Sequence, residues 1–435
     1  MKKAYLILED GTVFEGKSVG SEKEIISEIV FNTGVVGYLE TLTDPSYSGQ
    51  AVCMTFPLQG NYGVCKEDME SDRAYADGFI AREICAMPSN FRSEMTLEEF
   101  LIEQDVTGIS GIDTRRLTQI LRDRGTMNGM ITTKKYALDS VLPKIKAYRV
   151  QGVVQKACCK EKYAVGNADA KYKIALLDCG VKQNIIRCLI ERDCAVTVYP
   201  AWTSAEEILA DNPDGIMLSN GPGDPAECTD IIAEVKKLYD SNKPIFAICL
   251  GHQLMALATG AKTKKLKYGH RGGNQPAKCI EESRVYITSQ NHGYCVDDTT
   301  LDENIAIPSF VNVNDRTNEG LKYVGKNIFT VQFHPEACPG PWDTKFLFDK
   351  FIEMIKNSRR AYQVSSRWTN ISKTTLSHIS SNILRKRVKE SYIPKACRNS
   401  LYPTLWTTIS CVLSGWKIKN YCYSIISSAG TKANT

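Results

Sequence analysis

The sequence predicts an α/β protein in two parts, a β-rich α+β domain followed by a domain with a mostly parallel sheet. Three observations carry that expectation. From Tyr172 onward, apolar runs of strand length alternate with helix-length amphipathic segments, the rhythm of strand–helix–strand units. Before residue 150 that rhythm is absent, and short apolar runs are separated by Gly, Asp and Pro turns. At 435 residues, with 43% hydrophobic and 24% charged side chains, the chain is long enough for two or three cores of ordinary globular composition.

In the first part, residues 1–150, Tyr5–Leu8, Glu28–Phe31 and Gln50–Phe56 read as strands. Thr96–Glu103 reads as a helix because a Thr at its start is followed by Glu residues. Asp113–Asp123 reads as another, with Leu117, Ile120 and Leu121 on one face. Two further stretches, Gly37–Gln50 and Gly108–Thr118, read on their own as a Pro–Ser turn and a capped helix. Residues 151–170 are polar and aperiodic, which predicts a linker.

The second part, residues 171–358, supplies strands at Tyr172–Leu177, Cys194–Tyr199 and Gly215–Ser219, and helices at Gln183–Ile190 and around Asp230–Tyr239. A helix over Asp343–Ile355 closes it. In such a sheet the reactive groups gather at the carboxyl ends of the parallel strands.

One of those ends holds Pro244-Ile-Phe-Ala-Ile-Cys-Leu-Gly-His-Gln253, a buried strand that turns at once into a helix with Cys249 at the corner. Small residues flank it, Ala247 before and Gly251 after, as a strained nucleophile elbow requires. Free N–H groups at the start of the helix favour a thiolate. A cysteine on an apolar strand is, however, also a common small hydrophobe, so the elbow needs partners. Ser219-Asn-Gly-Pro-Gly-Asp-Pro225 is a stiff loop that either only turns the chain or aims backbone N–H groups at an oxygen. Ile328–Phe333 is a strand running into His334-Pro-Glu336, where His and Glu two apart on extended backbone project to one side. Of the five histidines, His378 lies in the tail, His252 in the elbow helix, and His270 and His292 in Gly-rich loops, leaving His334 with the adjacent acid. Ser289-Gln-Asn-His-Gly-Tyr294 offers amides suited to the polar ends of an amino acid.

Composition excludes other classes. The start closes its short apolar stretch with two acids, which does not read as a signal peptide, and no run reaches the roughly 18 apolar residues of a membrane span. The expectation is a cytoplasmic protein with reduced thiols despite sixteen cysteines, and no spacing completes a zinc set, so no metal is expected. No G-x-x-x-x-G-K-[ST] occurs, so no phosphate loop for ATP is expected. Residues 359–435 carry thirteen Lys and Arg against one acid, net +12 where the whole chain is +5, leaving the remainder mildly acidic. That Ser-rich tail reads either as a basic arm for nucleic acid or as an unstructured, adventitious extension, and the second is expected.

Ala247-Ile-Cys-Leu-Gly-His-Gln253, Ser219–Pro225 and His334–Glu336 together resemble the class I glutamine amidotransferases. Leu42–Ser48, Gly111-Ile-Asp-Thr-Arg-Arg-Leu117, Gly129-Met-Ile131 and Gly269-His-Arg-Gly-Gly-Asn-Gln-Pro276 narrow that resemblance to the small, glutamine-hydrolysing subunits of carbamoyl phosphate synthetases, over about residues 1–358. The resemblance implies a nucleophile at Cys249 completed by His334 and Glu336. It implies glutamine held at Ser46, Gly221, Gly223, Leu250, Gln253, Asn291, Gly293 and Tyr294. Tyr294 stands where some members have Phe, and Arg271 where some have His. It also implies a large synthetase subunit that binds ATP and Mg, no cofactor in this chain, and no nucleic-acid or membrane partner. A γ-glutamyl hydrolase or cysteine peptidase with the same triad, and a silent scaffold, are the rival readings.

Overall fold

The computed structural model describes residues 2–360. The basic, Ser-rich tail lies outside the described residues except for its first two. No helix among the described residues is long and apolar enough to cross a membrane.

The first part is a closed barrel. Strand Lys3–Leu8 pairs with Val13–Gly20, and the order continues through Thr107–Ser110, Gly78–Ile80, Gln50–Met54 and Ile25–Asn32 to Met127–Thr132, which returns to Lys3–Leu8. Alternate strand residues such as Leu6, Leu8, Ile29 and Ile109 fill its interior. The opposite faces of the strands carry Val30, Val52 and Phe79 against the helices Leu97–Glu103 and Tyr38–Thr43. The helix starts predicted at Thr96 and Asp113 hold. The Thr96 hydroxyl accepts from Glu99 N at 3.2 Å while the Glu99 carboxylate accepts from Thr96 N, and Asp113 caps Thr114–Arg124 through Arg116 N. The stretch read as a capped helix from Gly108 is first a barrel strand to Ser110 and only then a helix.

The second part is a ten-stranded sheet. Its centre is five parallel strands in the order Cys194–Pro200, Tyr172–Asp178, Gly215–Leu218, Ile245–Ile248 and Ile328–Val331. Alternation along these strands buries both faces. Leu177, Leu218 and Ala247 pack with Val235, Leu238 and Leu254 on one side, and Leu176, Phe246 and Val331 with Ile185, Phe348 and Phe351 on the other. Residues 151–170, read as a linker, hold a short helix, Val153–Ala157, and an edge strand, Tyr163–Val165, paired antiparallel with Cys194–Pro200. Beyond Ile328–Val331 the sheet turns antiparallel through Asn318–Tyr323 and Ala306–Asn312 to the long hairpin Thr263–Cys279/Val285–Val296. His270 and His292 therefore lie opposite one another on paired strands, not in loops. The closing helix starts at residue 346, later than the sequence suggests, and continues through residue 360, the last described. Its Arg359 donates from Nε to Asp214 Oδ1 at 2.7 Å.

The hairpin joins the two parts. Thr33 of the barrel donates from Oγ1 to Arg271 O at 3.0 Å, Lys265 Nζ pairs with Glu28 at 2.7 Å, and His334 N donates to Ser289 O at 2.9 Å. The barrel thus presses one end of the hairpin over the carboxyl ends of the parallel strands.

Candidate active site

Strand Ile245–Ile248 turns at Cys249 into helix Leu250–Ala258. Cys249 has φ 53° and ψ −104°, a conformation that strains any residue with a side chain and persists only where its surroundings enforce it. Two hydrogen bonds enforce it: Cys249 N donates to Val331 O at 2.8 Å and Gly251 N to Ser219 O at 3.0 Å. Gly251 leaves no room for a larger residue, since a Cβ there would lie 2.6 Å from Leu218 O. The sulfur is buried, 3.7 Å from Asn291 O and 3.7 Å from Gln332 Nε2, which donates to it. Leu250 is the first helical residue, so its N–H has no acceptor within the helix and is available beside the sulfur.

Cys249 faces a cavity of about 740 Å³. Ser46, Gly221, Gly223, Gln253, Asn291, Gly293 and Tyr294 all lie on its wall. Leu250 is buried and is not among the residues of that wall. Three contacts set these residues. Asn220 Nδ2 donates to Ser46 Oγ at 2.9 Å, Asn291 Nδ2 donates to Asp44 Oδ2 at 3.0 Å, and Gln253 Nε2 donates to Tyr294 O at 2.7 Å. The first two cross from the sheet domain to the barrel, which explains why a site on one domain needs the other.

His334 and Glu336 are not on that wall. His334 lines a second, smaller cavity of about 300 Å³, with Asn291 common to both. His334 Nδ1 lies 2.6 Å from Glu336 Oε1, as the two-residue spacing predicts. Its Nε2 is buried without a hydrogen-bond partner among the described residues. Burial pulls this imidazole towards its neutral form, but the Glu336 carboxylate and the nearby Cys249 sulfur prevail and raise its pKa to about 10. Burial likewise opposes ionisation of Glu336, and Lys182 and His334 prevail, lowering it to about 2. Lys182 is itself buried, 3.2 Å from Glu336 Oε1, and donates to Ala337 O at 2.7 Å. His252, the other histidine near the elbow, points away: its Nδ1 meets Thr330 Oγ1 at 2.7 Å, and burial lowers its pKa to about 3.

Behind the cavity His270, His292 and Glu319 form a buried cluster. Most of their atoms have partners, but His270 Nδ1 is buried without a hydrogen bond among the described residues, 3.5 Å from Glu319 Oε1. His270 Nε2 meets Asp315 at 2.8 Å, His292 meets Tyr294 O and Gln290 Oε1, and Glu319 accepts from Asn312 and Gln290.

A family model for class-I glutamine amidotransferases matches residues 175–354, and one for the CPSase domain of carbamoyl-phosphate synthase small chains matches residues 6–131. The carbamoyl phosphate synthase small chain of Clostridium perfringens is 52% identical over 351 residues, 81% of this chain and 99% of that one. This chain belongs to the carbamoyl phosphate synthase small chain family. Small chains of Archaeoglobus fulgidus (47% identical, 82% of this chain and 100% of the relative) and Syntrophotalea carbinolica (45%, 82% and 99%) agree.

Within this small chain the motif residues account for the cavity, but Lys182, Gln332 and Asp44 escape motif reading. Gln332 carried a usable signal, since it lies two residues before His334 on extended backbone and so shares its side. Asp44 stood in the quoted Leu42–Ser48 turn without a role. Lys182, at the start of helix Gln183–Ile190, carries no local signal at all, because its partners lie more than 100 residues away in sequence.

Proposed function

We infer that this chain is the glutamine-hydrolysing subunit of a carbamoyl phosphate synthase, with Cys249 as its nucleophile. One observation carries the reading: a cysteine in a strained elbow opens on a cavity walled by groups suited to an amino acid, with a buried, charged imidazole nearby. The sulfur attacks the side-chain amide carbon of glutamine as its anion. The N–H groups of Leu250 and of the Gly221 loop take the charge that develops on oxygen. Protonated His334 delivers its proton to the departing nitrogen, releasing ammonia and leaving a γ-glutamyl thioester. Neutral His334 then removes a proton from water, whose oxygen displaces the sulfur and yields glutamate. Glu336, held by Lys182, keeps His334 oriented and charged for the first half of the cycle. Ser46, Gly221, Gly223, Leu250, Gln253, Asn291, Gly293 and Tyr294 hold the substrate.

Ammonia released into water is protonated and lost to further chemistry. The reaction therefore calls for a large partner subunit that binds ATP and Mg and uses the ammonia to make carbamoyl phosphate from bicarbonate, in the cytoplasm. The product feeds arginine and pyrimidine synthesis. Glutaminase activity measured with and without a large synthetase subunit tests the reading. Strong stimulation supports it, full activity alone favours a free-standing hydrolase, and no activity in either case favours a scaffold.

A further inference from the structure

Large apolar side chains exposed singly need no explanation, but two held rigidly on one loop beside unpaired charges mark a docking surface. Phe91 and Met87 are 98% and 86% exposed, on the loop that follows strand Glu83–Ile84 in the barrel domain. The loop is held in place. Cys85 N donates to Gln59 O at 2.8 Å and Ser89 N to Asn61 O at 3.0 Å. Directly after Phe91, Arg92 donates from Nη2 to Asp68 Oδ1 at 2.7 Å. An apolar side chain carried on backbone that is already ordered loses little freedom on association.

The other end of the same segment carries charge. Arg82 O accepts from Gly111 N at 2.9 Å, which sets Arg82 near the start of helix Thr114–Arg124. Arg82, Arg115 and Arg122 line one hollow of about 570 Å³. Arg122 is paired with Asp123 at 2.9 Å, and Asp113, the acid on that wall, accepts from Arg116 N at 2.9 Å. Arg82 and Arg115 are exposed and have no ion-pair partner among the described residues. Two free guanidiniums on one wall suit an arriving carboxylate.

What covers the surface follows from where it leads. Glu83 N donates to Pro57 O at 2.9 Å, Thr55 N to Asn32 O at 3.0 Å, and Gly37 N to Tyr62 Oη at 2.7 Å. These bonds carry the surface into the turn of residues 32–37, where Val35 and Val36 are exposed and, with Asn32, line the smaller cavity that holds His334. The surface thus borders the cavity of the histidine that hands its proton to the departing nitrogen. An isolated anion or a polyanion would need only the arginines and would leave Phe91 and Met87 uncovered, whereas a protein face covers both.

We propose that the subunit that consumes the ammonia docks on this face of the barrel, taking Phe91 and Met87 into an apolar pocket and placing a carboxylate of its own between Arg82 and Arg115. The proposal rests on the reading above that such a partner exists.

The test uses the full chain and a large synthetase subunit, with surface plasmon resonance for Kd and association rate and a thermal melt of each variant alone. Phe91→Ser should raise Kd by about 30-fold or more, the loss that defines an interface anchor. Arg82→Glu and Arg115→Glu should each slow association by about 10-fold at low salt, a difference that shrinks as salt screens the charges. Trp202→Ser, at an exposed residue of the sheet domain, should bind as wild type does. All four should melt with wild type, since substitutions at exposed positions leave stability nearly unchanged. Binding of Phe91→Ser within about threefold of wild type, or an equal loss in Trp202→Ser, would overturn the surface and leave the glutaminase reading standing. So would arginine reversals without a salt-dependent effect, or weaker binding matched by a lower melting temperature. A wild-type chain that does not bind the large subunit would remove the partner reading and the surface with it.

Discussion

Gly221→Ala tests how the oxyanion is held. A Cβ at Gly221 would lie 2.3 Å from Cys179 O and 2.7 Å from Leu250 Cδ2. Carbon and carbonyl oxygen ordinarily meet at ~3.3–3.6 Å, so the loop must retreat by about 1 Å. Cys179 cannot give way cheaply, because it is fully buried and its N–H donates to Ser219 Oγ at 2.9 Å. A donor that serves an oxyanion must lie within ~2.7–3.1 Å of it, and a retreat of that size takes the Gly221 amide out of range. Loss of one such donor costs about 10²–10³ in rate, equivalent to ~2.7–4 kcal/mol. Because the interaction exists only in the transition state, kcat and kcat/KM should fall together while KM changes little. Steady-state glutaminase assays of the assembled complex measure this, with a thermal melt to show that the variant folds. A folded variant whose kcat stays within about threefold of wild type would refute the assignment of the Gly221 loop.

Other substitutions probe the rest of the site. Lys182→Met strips a buried cation from between Glu336 and Glu70, and removing one partner of a buried pair costs ~3–5 kcal/mol; calorimetry should show Tm lower by roughly 6–20 °C, and an unchanged Tm would contradict the pairing. Glu336→Gln keeps the shape but removes the charge that holds His334 near pKa 10. Activity that depends on protonated His334 is lost as pH rises through that value, so the variant's alkaline limb should move to lower pH by a unit or more, and a coincident profile would count against the pair. Burial opposes the charge on His270, but Asp315 and Glu319 raise its pKa to about 9. Its folded value lies above its ordinary 6.5, so its stabilisation is complete below 6.5 and disappears as pH rises through about 9. Melting curves across that window should show a wild-type decline that Asp315→Asn flattens, and parallel curves would contradict it.

Elements whose signals are local were legible from sequence. The βαβ strands, the helix starts at Thr96 and Asp113, the elbow at Cys249 and the His334–Glu336 pair each depend on residues within a few positions of one another. The long hairpin was not legible as strand, because Lys264, Lys265, Gly269, Gly272 and Asn274 interrupt any alternation. Lys265 and Asn274 serve the join with the barrel and Gly269 lines the cavity, where a strand carries groups for contacts rather than for a core. The strand Tyr163–Val165 failed for another reason: it is an edge strand of three residues paired on one side, too short to show a period. The contacts of Lys182 with Glu336 and Ala337 are set by tertiary packing within the sheet domain, and those of Asp44 with Asn291 and of Arg271 with Thr33 by the docking of barrel on sheet; no local pattern encodes either.

The central claim is that glutamine becomes covalently attached to Cys249 before water enters. Acid quenching of the assembled complex during turnover, followed by mass spectrometry of its peptides, measures that attachment directly. The account predicts a γ-glutamyl group on the peptide containing Cys249, lost on mild thiolysis and absent from Cys249→Ser; steady ammonia release from wild type with no such adduct, or with the adduct on another cysteine, would contradict it.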